Sequence, residues 1–425
     1  MGRLTIRERM ALLCRFIFVA ACVSLTACAL KLGKQPRQEV APLYSAASPE
    51  FRQSAGSLLG PNFVDGNKII TLVNGDEIFP AMLGAIRSAK RSINFETYTF
   101  WDDEIGRQFT NAFVDAANRG VKVNAVLDAQ GTKRMGRANL ERLHSAGVNI
   151  VKYHRSFFPD PRRYNNRTHR KLLIVDGKTA FIGGAGIAEL WAGNADSPKH
   201  WRDNHYKVTG PVVAQLQASF VTSWLKTRGY VLHGDDYFPP LQAAGSTLAQ
   251  AIRSGARYEN LDLMYLLAIA SAQKTLRIEN AYFLPDDLVR KELTNAAKRG
   301  VKVEIIVPGK KIDQKLVRAA SKRHWPELIE AGIKIYEYEP TMIHVKLMIV
   351  DDTFVSVGSG NLDNRSIRLN DEANLEVLDR QFAAEQLRLF EMDKNRSHEV
   401  TVEEVRGFHF ANPLDQAAGL LAPQL

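Results

Sequence analysis

The apolar positions of this 425-residue chain change period in a fixed order. Ser92–Phe100 alternates apolar and polar residues, as a half-buried strand does. Ile105, Phe109, Phe113 and Ala116 then share one helical face across Glu104–Arg119, and Gly120 ends that helix before the apolar run Val121–Leu127. Leu140–Ala146 reads as a further helix, followed by the strand "VNIVKYH". Leu172–Val175 is a short β-prone run closed by the turn pair Asp176-Gly177, and "KTAFIGG" returns as its hairpin partner. The same order recurs downstream in Lys274–Phe283, Asp287–Arg299, Val301–Val307, Asp313–Ala331 and "IKIYEYE". Alternating strands and helices predict an α/β fold of two repeated halves, each a mostly parallel sheet flanked by helices.

The recurrence extends to residue identity. "SAKRSINFETYTF" (88–100) matches "SAQKTLRIENAYF" (271–283) at a separation of 183, and "ANRGVKVNAVLD" (117–128) matches "AKRGVKVEIIVP" (297–308) at 180. "HRKLLIVDGKTAFIGG" (169–184) matches "HVKLMIVDDTFVSVGS" (344–359) at 175. Three matches in one order at near-constant offset mark two copies of a single unit. Turn residues cluster in "HGDDYFPPLQAAGS" (233–246), which predicts halves spanning 66–236 and 237–425, meeting about a pseudo-twofold axis.

Composition adds a compartment. The basic start and the run "FIFVAACVSLTACAL" have the proportions of a secretory signal, and the run is too short to span a bilayer as a helix. It ends on "LTAC" (25–28), which resembles a bacterial lipobox and implies lipidation of Cys28. The predicted divisions are therefore a signal segment 1–28 and a polar, Pro/Gly-punctuated tether 29–65. All three cysteines, Cys14, Cys22 and Cys28, lie in that first segment, which leaves the body without a disulfide or a cysteine-based metal site. Four arginines against Glu8 give residues 1–27 a charge of +3, so the rest carries +7 of the total +10. That charge suits a phosphate-bearing partner without choosing between lipid and nucleic acid.

The chemistry is concentrated in the two hairpins. Each contains H-x-K-x4-D: His169, Lys171 and Asp176, then His344, Lys346 and Asp351. In a strand, positions i and i+2 share a face, so each histidine points with its lysine, while the aspartate falls at the hairpin end. Small residues follow as "GGAG" (183–186) and "GSGN" (358–361), making Gly183, Gly184, Ser359 and Asn361 candidates for close approach to a phosphate. A histidine beside a snorkelling lysine at a strand edge would explain one copy, but not both at matching places in a repeat. Glu96 and Glu279 occupy equivalent strand positions and are expected to line the same cleft.

The duplicated motif with its following G-S-x-N resembles the phospholipase D superfamily over about 66–400. Within it, "RSINFETYTFW", "NNRTHRKLLIVDG", "HWRDNHYKVTGPVV" and "SGNLDNRSIRLNDEANLEV" are similar to bacterial cardiolipin synthases. The first copy departs from the pattern, with Gly184 and Gly186 where serine and asparagine are usual, so polar contact should lean on Ser359 and Asn361. The resemblance implies one shared active site in which the lysines stabilise phosphoryl charge without metal or cofactor. One histidine, His169 by the family's analogy, would form a phosphohistidine while the other protonates the leaving alcohol. It also implies an acidic residue after each motif that fixes a histidine tautomer, here Asp203 and Glu372.

The function so implied is a phosphatidyltransferase of the cell envelope, membrane-anchored and facing the periplasm. It would make cardiolipin from phosphatidylglycerol and a phosphatidyl donor, acting as a monomer with an internal pseudo-dimer. Ala29 after Cys28 fits outer-membrane sorting. With water as acceptor the same residues would make a phospholipase D or a nuclease, but no aromatic–basic alternation marks a nucleic-acid groove. A non-catalytic lipoprotein is the third reading, which both intact motifs disfavour. "SFFPDPRRYNNR" (156–167) reads as a basic loop that could touch headgroups. The five tryptophans have no belt-like spacing. No P-loop, H-E-x-x-H or cysteine zinc spacing occurs.

Overall fold

The computed structural model describes residues 40–153, 166–255 and 260–406. Helix α1 (Pro49–Leu59) precedes the first repeat, which opens with β1 (Val64–Val73), α2 (Asn74–Ser88) and β2 (Ser92–Thr97). Next come α3 (Glu104–Asn118), β3 (Lys122–Asp128), α4 (Arg137–Ser145) and β4 (Asn149–Tyr153). The hairpin β5 (Leu172–Val175) and β6 (Thr179–Gly183) follows, then β7 (Asn204–Thr209) and α5 (Val213–Arg228). The second repeat has β8 (Thr247–Ser254), α6 (Asn260–Ser271), β9 (Thr275–Asn280), α7 (Asp287–Lys298) and β10 (Lys302–Pro308). It continues with α8 (Lys315–Lys322), α9 (Trp325–Glu330), β11 (Lys334–Tyr338), β12 (Lys346–Val350) and β13 (Phe354–Gly358). The last elements are α10 (Asn364–Arg368), β14 (Glu372–Leu378), α11 (Arg380–Lys394), β15 (Ser397–Glu399) and α12 (Val402–Arg406).

Matching local signals build matching elements. Asp103 caps α3 by accepting from the Gly106 amide, and Asp286 caps α7 by accepting from Leu288 and Val289. Both helices stop at a glycine with positive φ, Gly120 at +85° and Gly300 at +91°, where a side chain would be strained. The strands form one sheet of 15 in the order β15-β11-β10-β9-β12-β13-β14-β8-β1-β7-β6-β5-β2-β3-β4. Read outward from the central β1–β8 pair, the two repeats have the same strand order, and β15 is an addition at one edge.

The duplicated α/β architecture stands, but the sheet is mixed rather than mostly parallel. Parallel pairing between strands is confined to β2-β3-β4 and β9-β10-β11, where helices supply the crossovers, apart from isolated bridges. The motif hairpins pair antiparallel, as tightly joined strands must, and so do the strands beside them. The expected helix 313–331 is two, α8 and α9, because Pro326 sits in the first turn of α9, where a proline begins a helix and cannot continue one.

The expected tether 29–65 is also corrected where it is described. Ser48 caps α1 through the Phe51 amide, and Phe51, Ala55 and Leu59, spaced four apart, are buried in the core of the second repeat. Three large cores result among the described residues: one outside each half of the sheet, and one between the halves, where β5, β6 and β7 meet β12, β13 and β14 with α5 and α11. Phe51 lies edge-on to Phe354 at 5.3 Å. Phe51→Ala should lower the unfolding free energy by about 3 kcal/mol, read as a shifted denaturant midpoint; a freely moving tether would show no shift.

Candidate active site

Both motifs sit at the seam between the halves. Just before β5, the His169 amide donates to the Asp371 carbonyl (2.9 Å) and the Asp371 amide to the Arg167 carbonyl (2.8 Å). Just before β12, the His344 amide donates to the Arg202 carbonyl (2.7 Å) and the Arg202 amide to the Met342 carbonyl (2.9 Å). Each motif is thereby stitched, as a short parallel bridge, to the strand of the other repeat that carries the acidic residue. The carboxylates pair accordingly across the seam. His169 Nδ1 lies 2.8 and 3.0 Å from the two oxygens of Glu372, and His344 Nδ1 lies 2.8 Å from Asp203 Oδ2. Lys346 Nζ also lies 3.0 Å from His344 Nδ1. A carboxylate facing Nδ1 favours the neutral tautomer with its proton there and its lone pair on Nε2.

The two pairs differ in their support. Glu372 accepts from Ser359 Oγ (2.6 Å) and Ser366 Oγ (2.8 Å). Asp203 instead accepts from the Trp191 indole N–H (2.9 Å) and from the Asn204 amide (2.9 Å). A Cβ at Gly184, the counterpart of Ser359, would meet Asp203 Oδ1 at 2.3 Å, so this glycine leaves room for the carboxylate. The missing serine of the first copy is thus replaced by an indole donor.

Burial sets the charges. It pushes His169 down to about 4 despite the opposing Glu372, and holds His344 well below its usual value with help from Lys346 and Lys171. Lys171 and Lys346 are driven by burial down to about 7 and about 8. Burial raises Asp203 to about 6, whereas for Glu372 the neighbouring His169, Lys171 and Ser359 outweigh burial and hold it below the usual range. Each lysine ammonium donates to the carbonyl of its own motif histidine, at 2.7 and 2.6 Å, which turns both Nζ atoms toward the histidines.

Both histidines and Lys171 open into a cavity of about 680 Å³. The Tyr98 ring lies 5.5 Å from His169, and Trp191, Trp201 and Tyr282 surround His344 at 5.4, 5.4 and 6.1 Å. Neutral imidazoles, buried cations and an aromatic, half-apolar wall suit attack on an anionic ester that carries an apolar body. Among the described residues no group of three or more His, Cys, Asp or Glu is arranged to hold a metal ion.

The family model described as a cardiolipin synthase, PLD-like domain matches residues 82–220 and 265–394, which together take in both motifs. The chain belongs to that family. It is 34% identical over 338 residues to Cardiolipin synthase 2 of Bacillus anthracis, covering 78% of this chain and 66% of the relative. It is 35% identical over 345 residues to Cardiolipin synthase A of Pseudomonas fluorescens SBW25, covering 80% and 71%. The chain therefore spans about two thirds of the length of these relatives. The fold is similar to that of phosphatidylserine synthase from Haemophilus influenzae, with a TM-score of 0.70 at 17% identity, covering 88% of this chain and 99% of that one.

Several expected site residues lie elsewhere in this family member. Asp176 and Asp351 end their hairpins away from the cavity. Asp176 accepts from the amides of Lys90, Arg91 and Ser92, and Asp351 from those of Gln273, Lys274 and Thr275, so each aspartate pins the start of a neighbouring strand. Glu96 and Glu279 do not line the cavity either. Glu96 accepts from the Thr168 hydroxyl, next to His169, and Glu279 is buried with Arg202 and Asp393. Of the small-residue tracts, Asn361 reaches the cavity wall, while Gly183 packs against His205 and Ser359 supports Glu372. The sequence reading missed Trp191, Ser366, Asp363 and Asp313; only Ser366 and Asp363 left a signal, in "DNRS" directly after the small-residue tract. Cys28 and most of the stretch 156–167 lie outside the described residues. Asp176→Asn keeps a residue that tolerates the observed φ of +54° but removes the carboxylate. It should cost about 1–2 kcal/mol of stability, measured by denaturant unfolding, and leave the histidine pair undisturbed.

Proposed function

We propose that the chain is a phosphatidyltransferase that makes cardiolipin from phosphatidylglycerol and a phosphatidyl donor through a phosphohistidine. The observation that carries this reading is the pair of histidines in one cavity, each with Nδ1 held by a carboxylate of the opposite repeat. Similarity to cardiolipin synthases of two bacterial groups supports an alcohol rather than water as acceptor.

In this mechanism His169 Nε2 attacks the donor phosphorus, and the Glu372 carboxylate stabilises the positive charge that develops on the ring. His169 suits this role because Glu372 is the carboxylate held ionised, whereas Asp203 is raised by burial. The phosphorus–oxygen bond to the headgroup breaks, and the leaving alkoxide takes the Nε2 proton of His344, which that ring acquires as the anionic phosphodiester binds beside it and offsets the burial that keeps the free ring neutral. His344 then accepts the proton of the incoming glycerol hydroxyl, whose oxygen attacks phosphorus and releases His169. Lys171 and Lys346 offset the charge on the phosphoryl oxygens in both steps. Residues 66–236 and 237–425 are the two halves, joined in a single chain as an internal pseudo-dimer. No helix among the described residues is long and apolar enough to cross a membrane. Lipidated Cys28, at the end of the lipobox-like "LTAC", is assigned the anchor that brings the enzyme to an envelope membrane.

In cells lacking other sources of cardiolipin, expression of the intact protein should raise the cardiolipin of lipid extracts, and His344→Ala should remove that rise. Accumulation of phosphatidic acid in its place would mean that water is the acceptor. Trapped phosphatidyl adduct should map by mass spectrometry to the peptide bearing His169; an adduct on His344 would reverse the assignment. The lysines bind the phosphodiester as cations. Since burial lowers them to about 7 and about 8, kcat/KM should fall as pH rises through that window, mainly through KM. A profile flat from pH 6 to 9 would remove the lysines from that role.

A further inference from the structure

The reacting centre is close to symmetric, yet the walls of its cavity are not. The register of 180 that equates β3 with β10 also equates Lys133 with Asp313 and Arg134 with Gln314, and all four line the same cavity. Opposite charges at repeat-equivalent positions mean that the two walls address different chemical groups. Asp313 accepts from the Tyr282 hydroxyl at 2.8 Å, a polar acceptor wall suited to alcohols. Among the described residues, Lys133 and Arg134 have no acidic partner.

Their loop is nevertheless held in place. Asp128 accepts from the Gln130 and Gly131 amides at 2.8 and 3.0 Å, and the Thr132 hydroxyl bonds the Asp128 carbonyl at 2.5 Å. A Cβ at Gly131 would overlap the Tyr98 carbonyl oxygen, so the backbone is packed close to the wall that carries His169. The Arg134 guanidinium rests on the Trp101 indole at 4.5 Å, a contact that fixes the cation without neutralising it. Lys133 also borders a smaller cavity of about 340 Å³ whose other charged lining residues, Arg137 and Lys152, are cations as well.

We propose that Lys133 and Arg134 form a second anion subsite, which binds the phosphodiester of the acceptor lipid while its glycerol hydroxyl is presented at the histidines. This rests on the functional reading above. Lys171 and Lys346 already attend the reacting phosphoryl group, so a further cationic pair has no use with water or free glycerol as acceptor. An acceptor that is itself a glycerol phosphodiester brings a second negative charge one glycerol away from the first. The subsite therefore selects the acceptor rather than performing the chemistry.

The test uses the full chain in mixed micelles of phosphatidylglycerol with labelled free glycerol, so that cardiolipin and labelled phosphatidylglycerol form from one donor in one tube. The ratio of cardiolipin to labelled phosphatidylglycerol should fall about tenfold or more in Lys133→Ala/Arg134→Ala, as expected for loss of charge-assisted hydrogen bonds. It should fall further in Lys133→Glu and stay near that of the intact protein in Lys133→Arg. An unchanged ratio overturns the subsite, whether both products decline together or neither moves. An intact protein that labels phosphatidylglycerol but makes no cardiolipin overturns the synthase reading and the subsite with it, and that failure is visible without any variant.

Discussion

Everything at the centre of this molecule depends on two short backbone bridges across the seam, His169 to Asp371 and His344 to Arg202. Each ties the residue that carries the imidazole to the residue next to the carboxylate that must face it. A strand end can only present its side chains where its backbone is held, and here neither half holds its own. His169 is oriented by Glu372 and His344 by Asp203, so each repeat supplies the acid for the other's histidine. The shared core between the halves brings these strand ends together, with Leu172 and Ile182 of one half facing Leu347, Val357 and Leu375 of the other. Separating the halves would therefore expose this core and strip both histidines of their tautomer control in one step.

The crossing also explains why near-identical motifs became chemically unequal. Two histidines with the same environment would compete for one role, whereas nucleophile and proton donor need opposite protonation states at the start of the reaction. The longer glutamate reaches His169 with both oxygens and is kept ionised by two serines and the adjacent cations. The shorter aspartate fills the space a serine side chain would take, receives an indole N–H instead, and is raised by burial. A single glycine-for-serine difference is thus coupled to the choice of acid and to the tryptophan that supports it.

Much of this was legible in the order of residues. The repeat, the hairpins and the pairing of histidine with lysine on one strand face follow from periodicity and spacing, because those are local properties of strands and turns. Asp203 and Glu372 were found by resemblance, but their exchange between halves was not, since spacing within a copy says nothing about which copy a side chain meets. Asp176 and Asp351 lie at the hairpin ends as their spacing predicts, but the share in the chemistry expected of them is not what their amide contacts give. The motif's constant spacing suggested common chemistry, while the spacing in fact measures strand length, about 3.3 Å per residue, and puts the carboxylate at the far end. Residues 49–59 read as tether because Ser and Gly dilute their apolar face, yet three residues four apart suffice to bury it. The pairing of β1 with β8, the axis of the duplication, joins strands from different copies and leaves no local mark.

Beneath the histidines lies a second layer that accounts for the buried charges left over. Arg170 donates to the Glu372 carbonyl at 3.0 Å and to the Ser219 carbonyl at 2.8 Å, while Arg202 donates to the Asp203 carbonyl at 2.9 Å and binds Asp393 through a guanidinium fork. The two arginines come from non-equivalent positions of the repeat, one beside a histidine and one beside an acid, yet both grip the carbonyl of the residue whose carboxylate faces an imidazole. Burying a guanidinium is costly unless its donors are satisfied; those of Arg170 are met by three backbone carbonyls and two hydroxyls, and those of Arg202 by Asp393, Asn204 and one carbonyl. Glu96, through Thr168, and Glu279, close to Arg202, belong to this layer. Their symmetry, which first suggested a place in the cleft, reflects equivalent buried positions beneath each motif, where burial raises both carboxyls above their usual range. The carboxylates that touch histidines are thus fixed from below by arginine and from the side by serine or indole, so the imidazole tautomers are set before any substrate arrives.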